Sequence, residues 1–139
     1  MMSKLLKDAA FLAKQFDPYI SFYCQAVASG NFKEIKAVVT NLFTQLCQEL
    51  AEVQDHNVAF YSLKMVIDNA HLAIIDYHKS GETTKIVIYL SLIEIFNAMI
   101  EHLWIRHIMN DKRHYCVSED RLVSLLNQLH EILYYNTTN

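Results

Sequence analysis

Residues that interrupt an α-helix are scarce in this sequence. Its 139 residues include two glycines, Gly30 and Gly81, and one proline, Pro18. A β-sandwich or a β-barrel needs many tight turns, and such turns draw on glycine and proline repeatedly. Here long segments run without either residue. The scarcity therefore predicts an all-α fold.

Between these breaks, apolar residues recur in steps of three and four, which is the period of one face of an α-helix. One series runs from Phe32 to Val53, and the next runs from Phe60 to Tyr77. A short polar segment, residues 54–57, separates the two series. The sequence therefore predicts two long helices that pack antiparallel against each other.

Capping residues mark the ends of other helices. Asp17 and Pro18 have the form of an N-cap and a first helical residue, so a first helix is expected to end just before them. A second helix is expected over residues 18–28. Gly30 then suits the left-handed position after a helix, and Asn31 suits the N-cap of the next one.

Near the C-terminus, Ser118 is expected to cap a last helix whose first turn contains Glu119 and Asp120. Acidic side chains complement the positive end of the helix dipole at this position. A chain of this length buries one ordinary hydrophobic core without disulfides or metals. We therefore expect residues 1–139 to form a single domain, an antiparallel bundle of five to six helices.

The segment from residue 83 to about residue 110 is apolar on two sides. Its two apolar series are Ile86, Tyr89, Ile93, Phe96, Ile100 and Leu103 on one side, and Ile88, Leu92, Ile95 and Met99 on the other. Such a helix is either central in its bundle or buried against another subunit. Residues 86–93 alone favour a β-strand, but the helical pattern continues beyond the length of ordinary strands. A membrane span is not expected, because Glu94 and Glu101 interrupt the run and each costs about 3 kcal/mol near a bilayer centre.

We predict that one side of this helix forms a surface for a protein partner or for a second copy of the chain. The residues assigned to this face are Ile88, Leu92, Ile95, Met99, Trp104 and Arg106. Tryptophan and arginine are enriched among the residues that dominate the binding energy of interfaces. A cofactor-lining position and core packing are the other interpretations of Trp104, and core packing is the more frequent explanation of such a residue.

The composition favours a protein that binds other proteins. Hydrophobic residues make up 53% of the chain and charged residues 19%, which leaves more apolar surface than a small domain readily buries. The sequence has no nucleophile elbow, no phosphate-binding glycine loop and no paired-carboxylate signature. Nucleic-acid binding is not expected either, because the basic residues that follow Arg106 are interspersed with acids. We therefore predict a non-enzymatic binding protein without a cofactor.

Histidines provide an alternative, a metal- or haem-binding bundle. His71 and His78 lie seven residues apart on one predicted helix, and His107 and His114 lie seven residues apart further along the chain. Each pair can therefore share a helix face. The Glu-x-x-His motifs of ferritin-like bundles are missing from the sequence. Exposed histidines at helix ends and loop edges are the other interpretation of these residues.

Cysteines and the N-terminal segment bear on localisation. Cys24, Cys47 and Cys116 form neither a disulfide framework nor a metal-binding pair, so a reducing, cytoplasmic location is expected. Lys7 and Lys14 interrupt the apolar residues of the first helix, so a signal peptide is not expected. The amphipathic character of this helix leaves open an association with membrane surfaces.

Two stretches of the sequence resemble a known family. They are the corner Ala28-Ser29-Gly30-Asn31-Phe32, with its spacing to Ile67-Asp68, and the run Leu92-Ile93-Glu94-Ile95-Phe96-Asn97-Ala98-Met99-Ile100-Glu101. They are similar to the helix corner and the late helix of the Rsd/AlgQ family, and the resemblance covers about residues 20–109. Members of that family are bacterial helical bundles that bind the main RNA polymerase sigma factor. The resemblance therefore implies an anti-sigma transcription regulator.

The chain departs from the family in three places. The family's long first helix is largely missing, a further C-terminal helix is expected, and Arg106-His107 stands where the family has an acidic pair. No binding residue is therefore transferred from the family. An immunity protein, a secretion chaperone and a host-directed effector are alternatives that also act by binding a protein.

Overall fold

The computed structural model describes residues 3–29, 31–109 and 119–137, with side chains over residues 3–29, 31, 33–104 and 123–133. These residues form six α-helices and no β-strand. The helices are α1 (Lys4–Gln15), α2 (Asp17–Ser29), α3 (Phe32–Ala51), α4 (His56–Ser80), α5 (Thr83–Met109) and α6 (Glu119–Thr137). The predicted all-α helical bundle is confirmed for this part of the chain.

Short polar side chains begin three of the helices. Ser3 and Asp55 each accept a hydrogen bond from a backbone N–H in the first turn of α1 and of α4. Asn31 accepts hydrogen bonds from two N–H groups at the start of α3, as predicted. These side chains satisfy donors that an isolated helix end leaves without partners. The predicted roles of Gly30 and Ser118 fall outside the described residues.

A tight turn makes α4 and α5 an antiparallel pair. Gly81 ends α4 with a φ of 74°, a left-handed conformation that glycine adopts without steric cost. Near this turn, the ring centroids of Tyr77 and Tyr89 lie 5.5 Å apart. Near the far end of the pair, those of Phe60 and Trp104 lie 5.9 Å apart. The two helices therefore stay in contact from the turn to the beginning of α4.

The structure corrects the predicted pairing of α3 with α4. Among the described residues, α3 packs mainly against α2 and α6, whereas α4 packs mainly against α5 and α1. The predicted apolar face of α3 is nevertheless buried, at Ile35, Val39, Leu42, Leu46 and Leu50. Helical periodicity identifies the face that a helix buries, but it does not identify the neighbour that covers that face.

The long apolar helix α5 is central in the bundle. It packs against α4, α6 and α2, and residues from all six helices contribute to one hydrophobic core. Both apolar series of α5 are buried or partly buried in that core. Of the two predicted alternatives, the central position in the bundle is therefore confirmed. The β-strand alternative for residues 86–93 is wrong, because these residues are helical throughout.

By length and composition, two helices within the described residues are apolar enough to cross a membrane. The mean hydropathy of their most apolar windows is 1.3 in His56–Ser80 and 1.6 in Thr83–Trp104. The bundle buries 33% of the first window and 56% of the second. Core helices of soluble proteins meet the same criterion, so the absence of a membrane span stays a prediction.

Candidate functional site

Four of the six residues predicted to form a partner or dimer face lie in the core. Ile88, Leu92, Ile95 and Met99 are at most 6% exposed. Side chains that contact the bundle's own helices cannot form a surface of the folded chain, so this part of the predicted face is wrong. The reason is that neighbouring helices cover α5 on more sides than its own sequence reveals.

Trp104, the fifth predicted residue, is 45% exposed. Its ring centroid lies 5.3 Å from that of His56 and 5.9 Å from that of Phe60, in edge-on contacts. Both neighbours lie in the first two turns of α4, which Asp55 caps. Because α4 and α5 are antiparallel, the beginning of α4 lies beside the last part of α5. Core packing therefore accounts for only part of the Trp104 side chain.

The aromatic contacts extend beyond Trp104. The rings of Phe60 and Tyr61 also meet edge-on, with centroids 5.4 Å apart. We call His56, Phe60, Tyr61 and Trp104 the Trp104 cluster; all four side chains are at least partly exposed. Edge-to-face contacts of this kind stabilise each pair by about 0.5–1.5 kcal/mol beyond the area that they bury. The cluster is therefore an ordered aromatic surface.

A narrow stripe of α5 also faces solvent. Its exposed residues are Leu90, Asn97, Glu101 and Trp104, and their spacing of seven, four and three residues is that of a single helix face. Leu90 is 39% exposed. We call these four residues the α5 stripe. Arg106, the sixth predicted residue, lies in α5 two residues beyond Trp104, and its side chain is outside the described residues.

The described residues do not bring the predicted metal ligands together. His71 and His78 are both exposed on α4. The side chain of His107 and the whole of His114 lie outside the described residues. Within the part of the chain that the structure describes, no group of three or more His, Cys, Asp or Glu residues is arranged to hold a metal ion. The metal or haem alternative therefore gains no support from those residues.

A buried hydrogen bond joins α2 to α5. The hydroxyl oxygens of Tyr23 and Ser91 lie 2.7 Å apart, and both residues are fully buried. The Ser91 hydroxyl also donates to the carbonyl oxygen of Ile88, so the Tyr23 hydroxyl is the donor to Ser91. Burial raises the pKa of Tyr23 well above its usual value. Tyr23 therefore stays protonated and acts as a structural donor.

A second group of aromatic residues lies near the turn between α4 and α5. Lys85 Nζ lies 5.2 Å from the centre of the Tyr77 ring and 2.9 Å from a carboxylate oxygen of Glu82. Burial raises the pKa of Tyr89 to about 12, and the neighbouring Cys24 and Tyr77 add to the rise. Burial also raises the pKa of the Cys24 thiol. A thiol that stays protonated at neutral pH is a poor nucleophile, so the raised pKa of Cys24 does not favour a catalytic role for it.

A groove of about 630 Å³ lies between α1 and α4, and residues from the first half of α2 and the first half of α5 complete its lining. Alanine side chains from α1 and α4 form much of its wall. Its polar lining includes Lys14, Asp17, Asp68 and Asn69. The groove is of ligand size, but its charged residues have mixed signs and do not converge on one ligand chemistry.

Sequence reasoning missed the residues that hold Trp104 and the buried polar pair. Helical periodicity predicts that Phe60 lies on the buried face of its helix, whereas it is half-buried and supports Trp104. Ser91 is a single hydroxyl between Leu90 and Leu92 in an apolar run. That isolation is a signal for a buried hydrogen bond, because buried hydroxyls need a partner. Tyr23 as the partner was not visible from sequence, since it is 68 residues away along the chain.

Comparisons with known proteins give no match: no family model, curated protein or solved structure matches the chain. The resemblance to the Rsd/AlgQ family therefore stays a prediction.

Proposed function

We propose that this protein is a non-enzymatic regulator that acts by binding another protein, and that the partner docks on the Trp104 cluster. The observation that carries the proposal is the 45% exposure of Trp104 on a well-supported aromatic surface. A tryptophan in that state offers a large apolar area to a partner. Tryptophan is enriched among the few residues that contribute most of the binding energy at protein interfaces.

The support beneath Trp104 favours binding in a second way. A side chain that is already held by His56 and Phe60 loses little conformational freedom when a partner covers it, which lowers the entropic cost of association. Earlier on the same helix, the exposed part of Leu90 offers a second apolar contact to a partner, and the polar residues Asn97 and Glu101 lie between it and Trp104. The α5 stripe therefore suits a partner segment that lies along α5.

The most specific version of the proposal is a bacterial, cytoplasmic anti-sigma regulator, with the main RNA polymerase sigma factor as the partner. This version rests on the sequence resemblance stated above. Immunity proteins, secretion chaperones and effectors use the same kind of protein binding and remain the alternatives. Each predicts a different partner on the same surface.

Binding of a purified main sigma factor, followed by calorimetry, tests the anti-sigma version. Trp104→Ala should weaken the complex by about 30-fold or more, the size expected for a residue that dominates an interface. Phe22→Ala is the matched control, because Phe22 is 57% exposed on α2 and outside the Trp104 cluster. Failure of the sigma factor to bind would exclude this version. If the sigma factor bound the wild type and Trp104→Ala with equal affinity, the Trp104 cluster would be excluded as the docking surface.

A second copy of the chain is the simplest partner, and a homodimer is part of the proposal. Light scattering over a range of concentrations should detect a dimer that Trp104→Ala converts to a monomer. The Phe22→Ala control should remain dimeric. A wild-type protein that stays monomeric at every concentration would exclude the homodimer and leave the binding of a different protein to be tested by the sigma-factor experiment.

A further inference from the structure

The outer side of α1 combines lysines with a protruding aromatic ring. Phe11 is 68% exposed, more than any other large hydrophobic side chain among the described residues. Lys4, Lys7 and Lys14 are exposed as well, and their spacing from Phe11 of seven, four and three residues places all four on one helix face. We call these four residues the α1 stripe.

The α1 stripe lies outside the buried contacts by which α1 joins the core. The opposite side of α1 buries Ala9 and Leu12 in the core. None of the three lysines forms an ion pair with a described residue. The ammonium groups and the Phe11 ring are therefore available to a partner without unfolding of the helix.

The net positive charge of the α1 stripe is concentrated at the N-terminal end of α1. Asp8 is the acidic residue of α1 itself and lies beside the stripe. Asp17 and Asp68 line the groove next to Lys14 and offset its charge. Lys4 and Lys7 therefore supply most of the attraction that the stripe has for an anionic partner.

We propose that the α1 stripe docks the protein on anionic phospholipid bilayers. In this arrangement Lys4 and Lys7 contact the lipid headgroups, and the Phe11 ring inserts between the headgroups. Lysines near a membrane surface are attracted by anionic lipids, and an aromatic ring in the interfacial layer adds apolar burial. A bilayer fits this arrangement because it offers both a negative surface and an apolar layer directly beneath it. This inference is independent of the Trp104 cluster, which lies on α4 and α5.

Vesicle flotation with the full chain tests the proposal. The wild type should float with vesicles of phosphatidylcholine and phosphatidylserine at low salt and remain behind with vesicles of phosphatidylcholine alone. High salt should release it, because salt screens exposed charges. Lys4→Ala with Lys7→Ala should lower the partition coefficient by about 25-fold, and Phe11→Ala should lower it by about tenfold.

Two matched variants serve as controls. Lys33→Ala with Lys36→Ala removes two exposed lysines at the same spacing near the start of α3, and Phe22→Ala removes an exposed phenylalanine from α2. Both should float as the wild type does, and circular dichroism should show the same helical content in all variants. The proposal is overturned if the wild type does not float, or if the controls lose as much binding as the α1 variants. It is also overturned if a DNA duplex binds the α1 stripe as tightly as the vesicles do and Phe11→Ala leaves vesicle binding unchanged.

Discussion

At the scale of single residues, Ser91 occupies an unusual position, because its hydroxyl lies in an apolar core and accepts the hydrogen bond that ties α2 to α5. The same hydroxyl donates to Ile88 within its own helix. Both polar atoms of the pair are thus satisfied, although neither is in contact with water. A buried pair of this kind stabilises the fold modestly when intact and destabilises it strongly when only one partner remains.

Removal of the two hydroxyls one at a time should therefore give unequal effects. Tyr23→Phe leaves Ser91 bonded to Ile88 and should lower the free energy of unfolding by about 1 kcal/mol. Ser91→Ala leaves the Tyr23 hydroxyl buried without an acceptor and should cost about 2 kcal/mol, even after the higher helix propensity of alanine offsets part of the loss. Urea unfolding of both variants measures the difference. Equal losses, or a larger loss for Tyr23→Phe, would contradict the assigned direction of the hydrogen bond.

Tyr23 should also make the fold sensitive to alkaline pH. Its pKa is raised in the folded state, whereas in the unfolded chain it returns to about its usual value of 10.0. Well below pH 10.0 Tyr23 is protonated in both states, and its contribution to the stability is complete. As the pH rises further, the unfolded state ionises first, so the free energy of unfolding falls by up to about 1.4 kcal/mol per pH unit for this group. Unfolding curves measured on either side of pH 10.0 should show a smaller fall for Tyr23→Phe than for the wild type.

At the scale of elements, α5 allows a direct comparison between its buried and exposed sides. Leu92→Glu or Ile95→Glu places a carboxylate in the core without a partner, at a cost of several kcal/mol, which is a large part of the total stability of a small domain. Both variants should lose cooperative unfolding and most of their helical circular dichroism signal. Asn97→Glu adds the same charge to the exposed side of the same helix and should remain folded. If Leu92→Glu gave a folded monomer, Leu92 would belong to a subunit interface rather than to the core.

The sequence allowed good predictions of elements and poor predictions of their neighbours. The three-four spacing located α3, α4 and α5 and the buried side of each, because that spacing is a local property of one helix. The pairing of α4 with α5, and of α3 with α2 and α6, depends on contacts between distant parts of the chain. For the same reason the two apolar sides of α5 did not distinguish a central helix from a subunit interface. Trp104 was singled out from its residue type, while its supports His56 and Phe60 became visible only when α4 lay beside α5.

At the scale of the whole molecule, the core is shared and the candidate surfaces are separate. Residues of all six helices meet in one hydrophobic cluster around α5. The Trp104 cluster lies on α4 and α5, where the beginning of one helix meets the last part of the other, and the α1 stripe lies on the solvent side of α1. Residues of the α1 stripe can change with little effect on the core, because surface substitutions away from buried contacts usually alter stability by less than about 0.5 kcal/mol.

A shared core predicts that the described helices unfold as one cooperative unit. Trp104 is the single tryptophan of the chain, so its fluorescence reports on the beginning of α4 and the last part of α5, whereas circular dichroism reports on all helices together. If helices from both ends of the chain depend on α5 for burial, the two signals should follow the same urea transition, with the same midpoint and the same slope. Phe22→Ala, which alters an exposed residue of α2, should leave the two transitions coincident. A fluorescence transition at lower urea than the circular dichroism transition would mean that the helix ends around Trp104 unfold before the rest of the bundle. The Trp104 cluster would then be a mobile surface rather than the ordered surface described above.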